Sequence, residues 1–149
     1  MMLREAHAVW EGGPYAGAGA VSTPSGVLSN ATYTFGKLAV VESFTSPSEM
    51  LAAAIASSMS TVVAMEMVNS GVKPVGVDTH VAITLDNPGG KWRLVGAHLT
   101  ILARTTDQDG KRFEQAVEVA RRVCPISSLL KLDLTCEAKL ISLCTPAAA

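Results

Sequence analysis

Hydrophobic and polar positions alternate in several short stretches of the chain. Residues 5–11 alternate loosely, and breaks that contain glycine and proline follow at 12–17 and 24–26. Short alternating runs between such breaks predict two or three antiparallel strands. Residues 77–86 and 91–105 alternate with many β-branched residues on either side of the turn sequence NPGG. These two runs predict a β-hairpin.

A different period governs the segment from residue 46 to residue 71. Ser46 is a capping residue, Pro47 suits the first helical position, and Glu49 follows the cap by three residues. This arrangement is a capping box and predicts a helix start. Gly71 supplies the stop signal. The apolar stripe of this long helix is expected at Leu51, Ile55, Ser58, Val62 and Met65.

A second helix is predicted after the turn sequence DQDG at 107–110. It should end at Cys124, because Pro125 cannot continue a helix. We expect a short helix that begins at Pro125, in PISSLLK, and a last strand over 133–143. Strands and helices occur in separate blocks rather than as βαβ units, which predicts a single α+β domain over 1–149. The apolar face of the second helix comprises Phe113, Ala116, Val117, Ala120 and Val123.

The long helix carries almost no charge. Glu49 and Glu66 are the charged residues between positions 47 and 69, so most of its circumference needs cover. A chain of 149 residues supplies only a few strands for that purpose. We therefore expect a homodimer that buries this helix.

Composition and charge narrow the range of functions. Apolar residues make up 48% of the chain, which allows a sizeable core without metal or disulfide staples. The formal net charge is −1 and there is no basic run, so no nucleic-acid partner is expected.

The apolar segments and the cysteines indicate a cytoplasmic protein. The N-terminal sequence MMLREAHAVWEGG is charged and lacks the apolar region of a secretory signal. Residues 50–65 are short for a membrane span, rich in Ser and Ala, and soon followed by Glu66, so we expect a core helix and no membrane partner. Cys124, Cys136 and Cys144 match neither a disulfide framework nor a zinc site, and their odd number suits a reducing compartment.

Four stretches resemble a known family. VSTPSGVLSNATYTF, TSPSEMLAAAIASSMSTVVAMEM, GVDTHVAITLD and VCPISSLLK are similar to sequences of the osmotically inducible protein C and organic hydroperoxide resistance family (OsmC/Ohr). The most specific pieces are Thr45-x-Pro47 at the helix entry and Cys124-Pro125-x-Ser127. The resemblance runs from about residue 6 to residue 141.

The resemblance implies an intertwined α+β homodimer whose long central helices are wrapped by antiparallel sheets. It also implies a thiol peroxidase that acts on organic hydroperoxides. We expect no cofactor. In this family a peroxidatic cysteine lies midway along the long helix, and a cysteine in the Cys-Pro turn resolves its sulfenic acid. An arginine from the preceding loop lowers the pKa of the first thiol, and a glutamate at the helix start orients that arginine.

Carried over by position, the family chemistry is only partly present. The peroxidatic position falls on Ser58, and the resolving cysteine is Cys124. A hydroxyl has no accessible sulfenic-acid state, so normal two-cysteine chemistry is not expected. The glutamate position falls on Ser48, with Glu49 beside it as a substitute if the helix start shifts, and the arginine position falls near Leu38, with Lys37 beside it.

Ser58 and Cys124 can each also be interpreted as a structural residue. The hydroxyl of Ser58 can bond to the carbonyl of Ala54, four residues earlier. A Ser58 hydrolase would need a base within reach, and no GxSxG elbow surrounds it. Cys124 is either a reactive thiol, with its pKa lowered by a short helix start and by Arg121 and Arg122, or a small apolar residue that fills a helix end.

The histidines, the remaining cysteine on the last strand and the methionines do not indicate a metal site or a catalytic site. His80 and His98 lie on paired predicted strands, but no third ligand accompanies them, so we expect no metal. Cys136 is expected to pack on its strand. The methionines are expected to pack in the core or an interface.

Two functions follow, with a third left open. The first is a binding or regulatory paralogue that holds a small apolar or thiol-bearing ligand in a pocket, for which Ser48, Lys37 and Leu38 are the candidate residues. The second is an enzyme. It is either a hydroperoxide reductase in which Cys124 is the sole redox thiol and an external thiol completes the cycle, or a pocket that runs a different reaction with Ser58, Glu49 and Lys37 as polar groups. The chain could also be one half of a heterodimer with an active paralogue.

Overall fold

The computed structural model describes residues 2–14, 16–34, 44–107, 109–130 and 133–143. The chain divides into two compact units, residues 1–51 and residues 52–149. Each unit is described by itself.

The first unit contains a small antiparallel sheet, as the sequence predicts. Strands β1 (His7–Glu11), β2 (Ala18–Ser22) and β3 (Ala31–Tyr33) pair in chain order. The rings of Trp10 on β1 and Tyr33 on β3 lie 5.7 Å apart between centroids. A bridge between Tyr33 and Thr45 ties the sheet to the entry of the long helix.

Helix α1 (Pro47–Asn69) begins at the predicted capping box. Ser46 Oγ accepts a hydrogen bond from the backbone N–H of Glu49 at 3.2 Å, and Glu49 Oε2 accepts one from the backbone N–H of Ser46 at 3.2 Å. Thr45 Oγ1 also donates to Glu49 Oε2 at 3.0 Å. The Thr-x-Pro motif therefore serves the helix cap.

Gly71 ends α1, also as predicted. Its φ of 80° lies in the left-handed region that favours glycine. The backbone N–H of Gly71 donates to Val68 O at 2.9 Å, and that of Val72 donates to Met67 O at 2.8 Å. This pair of hydrogen bonds is a Schellman motif.

The buried row of α1 differs from the predicted stripe. Met65 is 57% exposed, and Leu51, Ser58 and Val62 are only partly buried. Nearly every position of α1 is small or apolar, so the sequence pattern does not distinguish neighbouring rows of the helix. The fully buried positions recur every four residues, at Ile55, Met59, Val63 and Met67.

The second unit is built on a three-stranded sheet of β4 (Pro74–Asp86), β5 (Arg93–Thr105) and β6 (Asp133–Ser142), paired in that order. Strands β4 and β5 form the predicted antiparallel hairpin. A short 3₁₀ helix at Pro88–Gly90 makes the turn. Alternate residues of the central strand β5 are buried, at Ala97, Leu99, Ile101 and Ala103.

Strand β6 (Asp133–Ser142) runs parallel to β5, which corrects one expectation. Parallel neighbours need a long crossover, and helix α2 (Gly110–Val123) supplies it. The segment β5–α2–β6 is therefore a βαβ unit, although the sequence predicted separate blocks of strands and helices. The antiparallel hairpin and the antiparallel first sheet still make the protein α+β.

The end of α2 sets the position of Cys124. Phe113, Ala116, Val117 and Ala120 form the buried face as predicted, but Val123 is 53% exposed. Cys124 is the C-cap residue and its N–H donates to Ala120 O.

The short helix after α2 begins later than predicted. Cys124 has an extended ψ of 117°, because the residue before a proline avoids helical geometry. The 3₁₀ helix that follows therefore spans Ser127–Leu129 and does not begin at Pro125.

Within the described ranges, one helix, α1, is long and apolar enough to cross a membrane by length and composition. Core helices of globular proteins meet the same criterion.

A candidate thiol site at Cys124

The structure brings Ser58 and Cys124 together. Ser58 lies midway along α1 and Cys124 caps α2, and Ser58 Oγ lies 3.3 Å from Cys124 Sγ across 66 residues of sequence. Both residues belong to the second unit. The expected bond from Ser58 to the Ala54 carbonyl is wrong, because Ser57 Oγ donates to that carbonyl at 3.2 Å.

The other hydroxyls of α1 have separate partners. Ser60 Oγ donates to Thr79 Oγ1 on β4 at 2.8 Å, and Thr61 Oγ1 donates to the Ser57 carbonyl at 2.9 Å. The hydroxyl groups in the middle of this apolar helix therefore have hydrogen-bond partners, and Ser58 is the residue among them whose hydroxyl contacts a thiol.

The surroundings of Cys124 act on its thiol in opposite directions. Cys124 is 0% exposed, and burial, the largest single cause, raises the pKa of the thiol. The side chains of Ser127 and Ser58 and the backbone N–H groups of Ser127 and Ile126 lower it. These groups together outweigh burial, so the pKa lies below its ordinary value.

Ser127 is a site residue that the sequence reasoning missed. Its side chain is 1% exposed and lies near enough to Cys124 to lower the pKa of the thiol. Its Oγ nevertheless falls short of hydrogen-bond geometry, so it is a buried hydroxyl without a hydrogen-bond partner. The signal was present, since Ser127 is the serine of the Cys-Pro-x-Ser motif.

Arg121 and Arg122 do not have the role expected of them. Arg121 donates to Leu134 O at 3.0 Å and pairs with Glu118, and Arg122 pairs with Glu118 at 2.7 Å. Neither contributes to the lowered pKa of Cys124, which comes from hydroxyl and N–H groups in the turn and on α1.

Glu49 and Ser48 belong to the helix start in the first unit. Glu49 Oε2 completes the capping box, and Ser48 Oγ lies 3.1 Å from Ser46 Oγ. Helix α1 begins at Pro47, so the shift that would bring Glu49 to the family glutamate position is not observed. The candidate pocket residues Lys37 and Leu38 lie outside the described residues.

Cys136 has a different environment from Cys124. It lies half-buried on β6, and burial raises the pKa of its thiol. Arg121 lowers that pKa, whereas Glu118 and Glu137 raise it further. Cys144 lies outside the described residues.

The two histidines are not directly opposed. His80 pairs with Thr100, whereas His98 pairs with Ala82 and its Nδ1 lies 2.7 Å from Thr135 Oγ1. In the part of the chain that the structure describes, no group of three His, Cys, Asp or Glu residues is placed to hold a metal ion.

A groove of about 520 Å³ lies on the surface of α2 and contains none of the candidate residues. Its lining comprises Lys111, Glu114, Gln115, Glu118 and Val119.

Comparisons with known proteins agree with this fold. The sequence matches the family model of OsmC-like proteins over residues 41–139. The peroxiredoxin OsmC of Escherichia coli is 30% identical over 139 residues, which cover 93% of this chain and 97% of that protein.

Two solved structures illustrate the likeness. An OsmC-like protein of unknown function from Vibrio cholerae has a TM-score of 0.76 at 17% identity and covers 93% of this chain and 100% of its own. The organic hydroperoxide resistance protein OhrB of Bacillus subtilis has a TM-score of 0.69 at 19% identity, and the match covers 91% of this chain and 98% of OhrB. These structures establish the fold, and the family model and the E. coli relative establish the family: the chain belongs to the OsmC-like proteins, which are related to peroxiredoxin and hydroperoxide-resistance proteins.

Proposed function

We propose that this chain is an OsmC/Ohr protein that lacks two-cysteine thiol-peroxidase activity and acts by binding a small apolar or thiol-bearing ligand. The observation that carries the proposal is the contact of 3.3 Å between Ser58 Oγ and Cys124 Sγ. A hydroxyl stands where a two-cysteine enzyme would need its first thiol.

Thiol-peroxidase chemistry explains why oxygen in place of sulfur at position 58 would abolish the two-cysteine reaction. A peroxidatic thiolate takes an oxygen atom from a hydroperoxide, and a second thiol displaces that oxygen to form a disulfide. The separation of 3.3 Å between Ser58 Oγ and Cys124 Sγ is longer than an S–S bond of about 2.05 Å, so a thiol at position 58 would need a small movement to form a disulfide. The hydroxyl of Ser58 has no oxidised state with which to begin the cycle.

The contacts of Ser58 also weigh against a hydrolase. Its hydroxyl meets a thiol, whereas a nucleophilic serine needs a base such as histidine in hydrogen-bond reach.

The exposed surface of α1 supports a homodimer. Met65 is 57% exposed and Val68 is 61% exposed, although both lie on α1, an apolar helix with a mean hydropathy of 1.6. A second copy would cover such residues, and it would complete a pocket at this helix. We place the protein in the cytoplasm, because Cys124 and Cys136 are free thiols that suit a reducing compartment.

A second function is favoured by one observation, the lowered pKa of Cys124. A thiol of low pKa is more often ionised, and the thiolate is the species that attacks hydroperoxides. In this alternative the chain is a thiol-dependent hydroperoxide reductase with Cys124 as its sole redox thiol.

Consumption of an alkyl hydroperoxide with a dithiol reductant tests both functions. The wild type, Ser58→Cys and Cys124→Ala would be assayed together, with Cys136→Ala as the matched control. We expect turnover in Ser58→Cys far above that of the wild type, in which only slow oxidation of the buried Cys124 remains, and we expect Cys136→Ala to behave as the wild type. Wild-type turnover as fast as that of Ser58→Cys, and abolished by Cys124→Ala, would overturn the first function and support the second.

A further inference from the structure

We propose that Cys124 is a single-thiol oxidation site whose sulfenic acid cannot be resolved within the fold and is released by an external low-molecular-weight thiol. This inference rests on the Cys124 chemistry of the second function above, at a slow rate that leaves the first function in place. The juxtaposition that carries it is a buried thiol between the hydroxyls of Ser58 and Ser127, with Pro125 next in sequence.

The hydroxyls around Cys124 suit an oxidised sulfur. Ser58 Oγ is at hydrogen-bond distance from Sγ, and Ser127 Oγ is buried beside it without a hydrogen-bond partner. An unpartnered buried hydroxyl is unfavourable. It gains an acceptor when the sulfur ionises or takes up an oxygen atom, so the site favours the thiolate and the sulfenate.

Among the residues that the structure describes, the usual internal routes out of a sulfenic acid are closed. A disulfide across the contact would need a thiol at position 58, where the chain has Ser58. A cyclic sulfenamide needs the N–H of the following residue, and Pro125 has none. Cys136 is a poor attacking group, because burial raises the pKa of its thiol.

The proposed steps balance as follows. The Cys124 thiolate attacks the terminal oxygen of an alkyl hydroperoxide, the O–O bond breaks, and the alkoxide leaves and takes a proton from water. The sulfur is oxidised by two electrons and the hydroperoxide is reduced to an alcohol. An external thiolate then forms an S–S bond with Cys124 and displaces hydroxide, which becomes water, and a second external thiol exchanges with this mixed disulfide to restore the Cys124 thiol.

Access to the sulfur requires the turn after α2 to open, because Cys124 is 0% exposed. Three backbone hydrogen bonds are described in this turn. Ser128 N–H donates to Cys124 O at 3.0 Å, Leu129 N–H donates to Ile126 O at 3.3 Å, and Leu130 N–H donates to Ser127 O at 3.1 Å. Leu129 itself is 80% exposed. Local opening of such a segment costs less than global unfolding, so we expect slow but selective oxidation at Cys124.

Trapping the oxidised thiol tests the inference. The wild-type protein would be treated with tert-butyl hydroperoxide and dimedone, digested and mapped by mass spectrometry. We expect a dimedone adduct at Cys124 with Cys136 spared, and a mixed disulfide at Cys124 when glutathione replaces dimedone. An unmodified Cys124, or a disulfide between Cys124 and Cys136 or Cys144, would overturn the inference.

Ser127→Ala tests the positioning role of the hydroxyl. We expect the thiolate absorbance of Cys124 to develop at higher pH and trapping to slow several-fold, with Ser128→Ala as the matched control in the exposed part of the turn. Unchanged thiolate absorbance and trapping in Ser127→Ala would contradict this role.

Ser58→Cys separates this inference from the proposed loss of two-cysteine chemistry. In that variant we expect the dimedone adduct to disappear in favour of a disulfide between position 58 and Cys124. If the variant forms this disulfide but wild-type Cys124 is never trapped, the inference fails and the proposed function stands. If both proteins yield only the Cys124 adduct, the inference stands and the proposed role of position 58 fails.

Discussion

At the scale of single residues, Cys124 is governed by a balance between burial and hydrogen bonding. Burial raises the pKa of its thiol, and the groups of Ser127, Ser58 and Ile126 lower it by more. The native state therefore releases the thiol proton at a lower pH than the unfolded chain, in which a cysteine titrates near about 8.5.

This balance predicts how stability depends on pH. Below the folded pKa of Cys124 both states hold the proton and the thiol contributes nothing. As the pH rises through the folded pKa towards the unfolded one, the unfolded state holds more protons, so the free energy of unfolding increases. The contribution is complete above the unfolded pKa and is lost as the pH falls through the folded pKa.

Urea unfolding at a series of pH values between neutral and alkaline checks this prediction. The measurements belong in a Cys136→Ala background, because the raised pKa of Cys136 makes its own contribution fall as the pH rises. Ser58→Ala should move the rise to higher pH and Cys124→Ala should remove it. The same rise in the Cys124→Ala protein would contradict the assignment.

Side-chain contacts could be predicted from the sequence only between residues a few positions apart. The sequence gives no direct sign that Ser58 meets a thiol 66 residues away, so a bond to Ala54 was the natural expectation. That local bond exists, but Ser57 makes it. Ser127 belongs to the Cys-Pro-x-Ser motif, but its burial beside Cys124 depends on how α2 and the following turn pack.

At the scale of elements, the start and the end of α1 could be predicted from the sequence, whereas its buried face could not. The capping box at Ser46 and the left-handed Gly71 were both predictable, because each depends on residues a few positions apart. The buried row of α1 was not, since almost every position is apolar or small. The parallel direction of β6 was not either, because strand direction is decided by the crossover and not by the strand's own pattern.

The caps of α1 give a prediction about stability. Ser46→Ala should lower the free energy of unfolding by about 1 kcal/mol, because it removes the acceptor of the Glu49 N–H. Ser57→Ala is the matched control, since it makes the same change at an exposed position inside the helix, and it should cost little. Urea denaturation measures both, and an equal loss in the two variants would refute the capping role.

A second variant tests the other end of α1. Gly71→Ala should destabilise the protein by about 1 kcal/mol, because a side chain strains a residue in the left-handed region. Gly110→Ala is the control, since Gly110 has no positive φ and no neighbour that an added methyl group would meet. Thermal or urea unfolding gives the comparison, and an unaffected Gly71→Ala protein would show that the turn tolerates a side chain.

At the scale of the whole molecule, the proposed homodimer accounts for the apolar surface of α1. Family membership and the α+β fold follow from the sequence with little ambiguity, because the matching stretches extend over most of the chain. The arrangement of two copies does not follow from a single chain. Exposed Met65 and Val68 are the observations that call for a partner surface.

Sedimentation equilibrium tests the proposed assembly. We expect a mass of twice 15.5 kDa for the wild type. Met65→Glu should shift the protein towards the monomer, because a buried charge without a partner is costly. Val27→Glu, at a residue 86% exposed in the first unit, should leave the dimer intact. A wild type that remains monomeric at high concentration would contradict the proposal.

The central claim is that position 58 and Cys124 are a thiol-peroxidase pair in which one sulfur has been replaced by oxygen. The most direct test is peptide mapping of Ser58→Cys after one equivalent of alkyl hydroperoxide, with Ser60→Cys as the matched control on the same helix. The account predicts a disulfide that joins position 58 to Cys124 and leaves Cys136 reduced, and no corresponding disulfide in Ser60→Cys. A Ser58→Cys protein that is folded but forms no such disulfide, or pairs position 58 with Cys136, would contradict it.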